Sequence, residues 1–378
     1  MRVSVPTIPH VVTSASTKTI SPGAAIERIS AFLASGNVAL LTGAGVSVDS
    51  GIRAYRGKDG RYMNPNYKPI FYHELIADNP RGHAFRQRYW YLVWIKQSVL
   101  PITPCSRLRS YLGYPHVRDT QPNTTHCALA ALQHTGHISR LVTQNVDGLH
   151  RKAIAHLWDD TRIEERILEL HGTLHRVHCQ FGHVTSRDTF QDRLSTSNPR
   201  WKAFVDGLET TGKKPRTNPD GDVELEGVSY ADFMVPECPE CMLEGRHNSN
   251  QKPEVIFFGE SIPKAIKERS FHDVEQSDRL FLVGTTLATF SAYRLIKHAL
   301  KLKKPVLLLN MGATRADDLP GVEKIEISTS HVMRDTVRAV LGTRAYIDPV
   351  IINLLNNGIH RPPFDDGSDS ETVEPQDT

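Results

Sequence analysis

The sequence predicts an α/β protein with a doubly wound parallel sheet and a second, smaller module inserted into it. Short apolar runs alternate along the chain with helical stretches such as 291–301, which is typical of a parallel sheet covered by helices. Several of these runs end in small or polar residues, and the carboxyl edge of an open α/β sheet is where ligands bind. The predicted strands are 38–41, 141–143, 254–258, 280–283 and 306–310.

Length and composition exclude several classes of protein. At 378 residues the chain has room for one large core and a smaller unit, and 39% hydrophobic with 23% charged residues is ordinary for a soluble globular protein. The net charge of +3 is too small to indicate a nucleic-acid partner, and no apolar run approaches the ~20 residues that span a membrane. Five cysteines, an odd number, argue against a disulfide framework and favour a reducing compartment.

The two ends of the sequence have the composition of tails. Residues 1–21 contain Arg2, Lys18 and eight Ser or Thr, but no acidic residue, which fits either an organelle targeting segment or a disordered terminus. Residues 359–378 carry six acidic residues and no basic one after Arg361, which predicts a solvated, disordered tail.

The first elements form a strand, a glycine turn and a helix. Ser21-Pro22 is a helix-start signal, and the strand 38–41 runs directly into Thr42-Gly43-Ala44-Gly45. Backbone N–H groups in such a turn can face a pyrophosphate. The usual third glycine is missing at the expected spacing, and no clear acidic residue follows about 20 positions on. A standard dehydrogenase is therefore a poor fit.

The candidate catalytic residue is His171, which follows the apolar run 168–170 and precedes Gly172. Its unperturbed pKa, near neutrality, suits a general base. A lone histidine is more often a hydrogen-bonded structural residue. The glycine turn and the polar run Thr143-Gln144-Asn145-Val146-Asp147 supply the context that predicts an enzyme.

Six motifs occur in order along the chain. They are Thr42-Gly43-Ala44-Gly45-Val46-Ser47, Ser50-Gly51-Ile52, Tyr55-Arg56, Thr143-Gln144-Asn145-Val146-Asp147, His171-Gly172 and Phe258-Gly259-Glu260. In this order they resemble the motifs of the sirtuins, NAD-dependent protein-lysine deacylases. The resemblance covers roughly residues 22–345 and is strongest to class II, in particular to the mitochondrial sirtuin-four branch, because 86–90, 197–201, 219–223 and 312–319 resemble stretches peculiar to that branch.

The resemblance implies NAD as co-substrate and assigns three catalytic residues, His171, Asn145 and Arg56. Asp147 would hydrogen-bond the carboxamide of nicotinamide. After nicotinamide leaves, the acyl oxygen of a modified lysine would attack the ribosyl carbon, and His171 would take a proton from a ribose hydroxyl. The implied NAD contacts are Gly43, Ala44, Gly45, Ser47, Tyr55, Arg56, Gln144, Asn145, Asp147, Gly284, Thr285, Thr286, Asn310 and Gly312.

The resemblance also implies how an acyl-lysine protein would bind. The peptide would add as a strand beside the segment that contains Val255, Phe258, Gly259 and Glu260. In class II a Tyr and an Arg three residues apart read an acidic acyl group, and Tyr89 and Arg109 would be that pair. Here residues 91–108 separate them, an insertion that represents either a retained intron or a lineage-specific loop.

The resemblance implies a structural zinc ion, with one departure from the family pattern. Sirtuins carry two Cys-x-x-Cys pairs, and Cys238-Pro239-Glu240-Cys241 is intact. The other pair reduces to Cys179, so the expected ligands are Cys179, Cys238, Cys241 and His183, with His178 as an alternative to His183. Otherwise the three cysteines are buried thiols without metal.

The resulting prediction is a Rossmann-like catalytic domain at 22–173 and 254–345, with a zinc module at 174–253. It would deacylate lysine on protein substrates, releasing nicotinamide and O-acyl-ADP-ribose, without nucleic-acid or membrane partners. The expected location is mitochondrial, with a cytoplasmic or nuclear location as the alternative. Two alternatives are protein mono-ADP-ribosylation in the same site and a non-catalytic NAD-binding regulator.

Overall fold

The strands form two separate sheets in the described part of the chain, which in this computed structural model is residues 20–55, 70–91, 111, 114–211, 232–248 and 250–361. The strands are β1 (Val38–Thr42), β2 (Ile138–Thr143), β3 (Ile167–Glu169), β4 (Gly172–Cys179), β5 (Val184–Ser186), β6 (Gln251–Val255), β7 (Arg279–Val283), β8 (Val306–Leu309) and β9 (Val322–Ile325). Six of them form a parallel sheet in the order β3-β2-β1-β7-β8-β9. The other three form an antiparallel sheet in the order β5-β4-β6.

Helices cover both faces of the parallel sheet. Val38 and Leu40 of β1 pack into the core on one face, and Ala39 and Leu41 pack on the other, so all five residues of this strand are buried. The helices are α1 (Pro22–Leu33), α2 (Tyr72–Ile76), α3 (Pro80–Tyr91), α4 (Tyr114–Asp119), α5 (Thr124–His134), α6 (Leu149–Ile154), α7 (Asp160–Arg166), α8 (Arg187–Ser197), α9 (Pro199–Thr211), α10 (Pro239–Leu243), α11 (Lys264–Glu275), α12 (Phe290–Lys301), α13 (Thr329–Leu341), α14 (Arg344–Ile347) and α15 (Pro349–Asn356).

The helices divide between the faces by their apolar residues. One core contains α1, α5, α13 and α15, and the other contains α11 and α12. The predicted start of α1 is confirmed, since the Ser21 hydroxyl accepts a hydrogen bond from the Ala24 amide and Pro22 opens the helix. The predicted doubly wound α/β class is likewise confirmed. None of the described helices is both long and apolar enough to cross a membrane.

The prediction of a parallel-sheet strand at 254–258 is wrong. The strand that forms there, β6, ends at Val255 and pairs antiparallel with β4 in the smaller sheet. Residues after it turn instead, because the Glu260 carboxylate accepts a hydrogen bond from the Phe257 amide and pairs with Lys252. The edge strand β9 had no predicted counterpart, since its four residues Val322–Ile325 include the adjacent Glu323 and Lys324 and show neither an apolar run nor alternation.

The smaller sheet carries a third core, formed with α3 and the helices α8 and α9. Trp90, Phe190, Trp201 and Phe233 are buried there, and Phe257 at the end of the sheet joins them. The predicted module boundaries at 174 and 253 lie within β4 and β6. Of the predicted insertion 91–108, only Tyr91 is among the described residues, and both predicted tails lie outside them except for 20–21 and 359–361.

Candidate active site and zinc centre

The turns after β1 and β7 meet at the carboxyl edge of the parallel sheet. The Gly43 amide donates to the Val283 carbonyl over 3.1 Å, and the Gly45 amide donates to the Gly284 carbonyl over 2.9 Å. A Cβ on Gly43 would lie 2.8 Å from the Gly284 oxygen, and one on Gly284 would lie 2.6 Å from the Val46 nitrogen. Gly284 therefore allows the close packing of the two turns, a role that the missing third glycine of the turn after β1 would otherwise have.

This arrangement restricts how the glycine turn can meet a diphosphate. The amides of Gly43 and Gly45 already donate to protein carbonyls and so are not available as donors to a diphosphate. What these glycines offer a diphosphate is close approach to the backbone. Ala44 opens the single 3₁₀ turn Ala44–Ser47 that follows.

Asp147, Asn145 and Ser47 form one hydrogen-bonded cluster beneath the turn. Ser47 Oγ donates to Asp147 Oδ2 over 2.8 Å, and Asn145 Nδ2 donates both to Ser47 Oγ and to the Gly43 carbonyl over 3.1 Å each. The Leu149 amide donates to the other oxygen of the Asp147 carboxylate over 3.0 Å. Burial raises the pKa of Asp147, while these two donors act in the opposite direction. All three predicted polar residues are thus fixed around one point at the ends of β1 and β2.

Gln144 links three segments at the same edge. Its Nε2 donates to Thr285 Oγ1 over 2.8 Å, and its Oε1 accepts from Thr289 Oγ1 over 3.1 Å. The predicted residue Thr286 lies next to this contact, and its carbonyl accepts the Arg315 amide. The side chain of Gln144 therefore holds the β7 turn and the start of α12 against β2.

His171 lies on the other side of Gln144. Its Nδ1 is 3.2 Å from the Gln144 carbonyl oxygen, and its Nε2 is 2.8 Å from Ser291 Oγ. Burial lowers the pKa of His171 to about 4, with the Gln144 carbonyl opposing the shift. The imidazole is therefore neutral at physiological pH, the form that can accept a proton.

Two buried histidines behind this cluster were missed by the sequence reasoning. His126 Nε2 is 3.4 Å from Ser47 Oγ, and His150 Nε2 is 2.9 Å from Thr42 Oγ1. Burial lowers the pKa of both, that of His150 to about 3. Each lies on a helix outside any motif, where a histidine is not distinctive, so only their proximity to Ser47 and Thr42 identifies them.

The predicted residues at the end of β8 are arranged as a closed turn. Asn310 is buried, and its Nδ2 donates to the Met311 carbonyl over 2.8 Å. The Gly312 amide donates to Glu326 Oε1 over 2.7 Å. These contacts place Asn310 and Gly312 two strands away from β1, at the same edge of the sheet.

The predicted substrate segment begins at the end of β6. Val255 is buried, and the Phe258 carbonyl accepts the Tyr72 amide over 2.9 Å. Gly259 has a φ of +82°, which suits glycine, and the carboxylate of Glu260 lies 3.1 Å from Lys252 Nζ. The Glu260 side chain therefore fixes the turn from inside.

Of the predicted acyl-reading pair, Tyr89 and Arg109, and the predicted NAD contacts Tyr55 and Arg56, only the two tyrosines lie among the described residues. The Tyr89 ring is buried, 5.8 Å from the Phe257 ring between centroids. Tyr55 is half-buried at the end of a described segment. Arg56 and Arg109 lie outside the described residues.

A cavity of about 320 Å³ opens beside the Asp147–Gly148 turn. Glu169, Arg151, Arg176 and His175 are among its lining residues. Burial raises the pKa of Glu169 to about 7, and Arg151 and Arg176 partly offset this shift.

Four ligand atoms converge in the small module. The sulfurs of Cys179, Cys238 and Cys241 and a ring nitrogen of His183 all lie within 4.8 Å of one another. Cys179 Sγ is 3.7 Å from Cys241 Sγ, and His183 Nδ1 is 3.4–3.7 Å from the three sulfurs. Tetrahedral zinc with Zn–S bonds near 2.3 Å requires S–S separations of about 3.8 Å. The donor set and its spacing therefore fit zinc, with His183 rather than His178 as the fourth ligand.

A carboxylate supports His183 from behind. Glu244 Oε1 is 3.4 Å from His183 Nε2. Such a carboxylate orients the ring and favours the tautomer whose other nitrogen, here Nδ1, binds metal. With all four positions filled by protein atoms, the site has the composition of a structural zinc centre.

Known proteins share this fold and sequence. The family model described as the Sir2 family matches residues 43–291. A chytrid protein from Batrachochytrium dendrobatidis, "NAD-dependent protein deacylase SIR4", is 39% identical over 311 residues, covering 81% of this chain and 90% of its own. The human "NAD-dependent protein lipoamidase sirtuin-4, mitochondrial" is 36% identical over 282 residues, 74% of this chain and 76% of its own.

Solved structures agree at the level of the fold. A Sir2 homologue in complex with NAD has a TM-score of 0.53 at 23% identity, covering 83% of this chain and 93% of that one. A second Sir2 homologue, a mutant bound to ADP-ribose, has a TM-score of 0.55 at 22% identity, covering 85% and 98%. On its sequence and its fold, the chain belongs to the Sir2 family.

Proposed function

We propose that the chain is an NAD-dependent protein-lysine deacylase, which transfers the acyl group of a modified lysine to ADP-ribose and releases nicotinamide. The observation that carries this is the meeting of the neutral His171 with the Asn145–Ser47–Asp147 cluster at one edge of the sheet. Membership of the Sir2 family and relatives named as deacylases and lipoamidases support the same activity.

NAD, when bound, supplies a ribosyl carbon that nicotinamide leaves and the acyl oxygen attacks. Asp147 would recognise the carboxamide, because each of its oxygens receives one protein donor and retains a second lone pair. Asn145 and Ser47 would hold that carboxylate in place. Gly43, Ala44 and Gly45 would let the diphosphate approach the backbone, and the turns after β7 and β8 would face the adenosine.

His171 would act as the general base. It is neutral and its ring is fixed at Nδ1 by the Gln144 carbonyl, so Nε2 is the atom that can take a proton from a ribose hydroxyl. The predicted contribution of Arg56, and that of Tyr89 with Arg109 to acyl recognition, belongs to this proposal as well.

The acyl-lysine protein would bind beside the turn at the end of β6. The buried Lys252–Glu260 pair and the Gly259 turn give this segment a fixed shape against which an extended peptide could add as a strand. Zinc, held by Cys179, His183, Cys238 and Cys241, would stabilise the module that carries this strand. A mitochondrial location is proposed on the weaker ground that bovine and human relatives are named mitochondrial.

The test is nicotinamide release from NAD with a panel of acyl-lysine peptides, including acetyl, lipoyl and acidic acyl groups. We expect release that depends on an acyl peptide and forms O-acyl-ADP-ribose, lost in His171→Ala and kept in His331→Ala, an exposed histidine on α13. Transfer of labelled ADP-ribose to protein without loss of the acyl group would favour ADP-ribosylation instead. NAD binding without any release by the wild type would contradict an enzymatic function.

A further inference from the structure

The hydroxyl of Ser291 contacts the nitrogen of His171 that the reaction would use. Ser291 lies in the first turn of α12, 120 residues from His171 in sequence, and its Oγ is 2.8 Å from Nε2. The other ring nitrogen, Nδ1, faces the carbonyl oxygen of Gln144 at 3.2 Å. The sequence motifs do not include Ser291.

The Gln144 contact fixes which nitrogen carries the proton. A carbonyl oxygen can only accept, so Nδ1 must be the donor. A neutral imidazole has one N–H, so Nε2 has a lone pair and must accept the hydrogen bond from the Ser291 hydroxyl. The lone pair of the proposed base is therefore occupied in the substrate-free protein.

We propose that Ser291 is a positioning residue whose hydroxyl holds the Nε2 lone pair of His171 until a substrate hydroxyl displaces it. One lone pair accepts one strong hydrogen bond, so a hydroxyl that gives its proton to Nε2 must take the place of Ser291. Displacing Ser291 therefore lowers the affinity for the substrate. Once displaced, the Ser291 hydroxyl takes no part in the proton transfer, which His171 carries out. The displacement step rests on the proposed deacylase function; the resting contact does not.

The Ser291 hydroxyl contacts an imidazole on which no charged side chain in the described part of the chain acts. Among the described residues, burial and the Gln144 carbonyl are the causes of the pKa shift of His171, and no charged side chain is one of them. Asp147, which follows β2, contributes to the raised pKa of Glu169 at the end of β3, but neither carboxylate is among the causes of the pKa shift of His171. From α12 the group that faces the ring is Ser291 itself.

The resting contact is tested by nuclear magnetic resonance of the full chain labelled with ¹⁵N and ¹³C in histidine, without NAD. We expect wild-type His171 to be the Nδ1–H tautomer at neutral pH. In Ser291→Ala its Nε2 signal should move toward that of a nitrogen without a hydrogen bond, and its pKa should rise by roughly half to one unit, because a bond to the neutral form is lost.

Two further variants complete the test. Ser291→Thr keeps a hydroxyl and should restore the wild-type signal, whereas Ser270→Ala, which removes a buried hydroxyl from α11, should leave it unchanged. An Nε2–H tautomer in the wild type, or an unchanged pKa in Ser291→Ala, would overturn the inference.

Displacement is tested by steady-state kinetics with NAD and the best acyl peptide. In Ser291→Ala, kcat/KM for NAD should rise roughly 2–10-fold, the net value of one hydrogen bond, with a smaller change in kcat. A parallel fall of kcat and kcat/KM would show that Ser291 only maintains the ring or the fold. If the wild type releases no nicotinamide, the proposed function fails, and the tautomer measurement alone decides on the Ser291–His171 contact.

Discussion

Replacement of Glu169 by Gln should stabilise the protein at alkaline pH and have little effect in acid. Burial raises the pKa of this carboxyl from 4.5 to about 7, so between these values the folded chain binds more protons than the unfolded chain. The contribution of Glu169 to the free energy of unfolding is therefore fully present below about pH 4.5 and is lost as the pH rises through 7. At pH 8 the ionised carboxylate costs up to about 3 kcal/mol. The side chain keeps some exposure, so this figure is an upper bound.

Thermal unfolding of the wild type and Glu169→Gln at pH 5 and pH 8 measures this effect. Gln has the same shape without the charge, so the difference in Tm between the two proteins should widen by several degrees from pH 5 to pH 8. Glu165→Gln, at an exposed position on the preceding helix, is the matched control and should show no such widening. An equal effect of Glu169→Gln at both pH values, or a loss of stability at pH 8, would refute the reasoning.

Three further predictions concern the zinc site, the proposed nicotinamide pocket and the glycine turn. His183→Ala should lower bound zinc from one equivalent toward none and lower Tm, whereas His178→Ala should keep the metal; metal analysis of both variants decides, and the reverse result would make His178 the ligand. Asp147→Asn should weaken nicotinamide exchange about 10–100-fold through loss of charge-assisted hydrogen bonds while the fold remains, and exchange at the wild-type rate would remove Asp147 from the pocket. Gly284→Ala should destabilise the protein by several kcal/mol, because its Cβ would meet the Val46 nitrogen at 2.6 Å with φ at +60°. Gly136→Ala, also at positive φ but with no atom within 4 Å, should cost only about 1 kcal/mol in the same urea titration.

The sequence alone predicted the main local elements of the candidate active site. Three motifs come at the ends of buried strands: Gly43-Ala44-Gly45 at β1, Thr143-Gln144-Asn145-Val146-Asp147 at β2 and His171-Gly172 at β3. Parallel strands bring their carboxyl ends to one edge of the sheet. The α/β class and the start of α1 were predictable for the same reason, since each depends on residues near one another in sequence, whereas the cysteine set of the zinc site followed from the resemblance to the sirtuins.

The tertiary structure decided the contacts between distant segments. Sequence analysis gave His183 as the fourth zinc ligand with His178 as an alternative, and the geometry of β4 and α10 places Nδ1 of His183 among the sulfurs. The glycine that packs against the turn after β1 is Gly284, in the turn after β7, and the partner of His171 Nε2 is Ser291, on α12. Residue types and local periodicity set which strands and turns form, but the atom that each side chain contacts is fixed by the packing of segments far apart in sequence, 100 residues for Ser47 and Asp147 and 120 for His171 and Ser291. This pairing leaves no pattern in either segment alone.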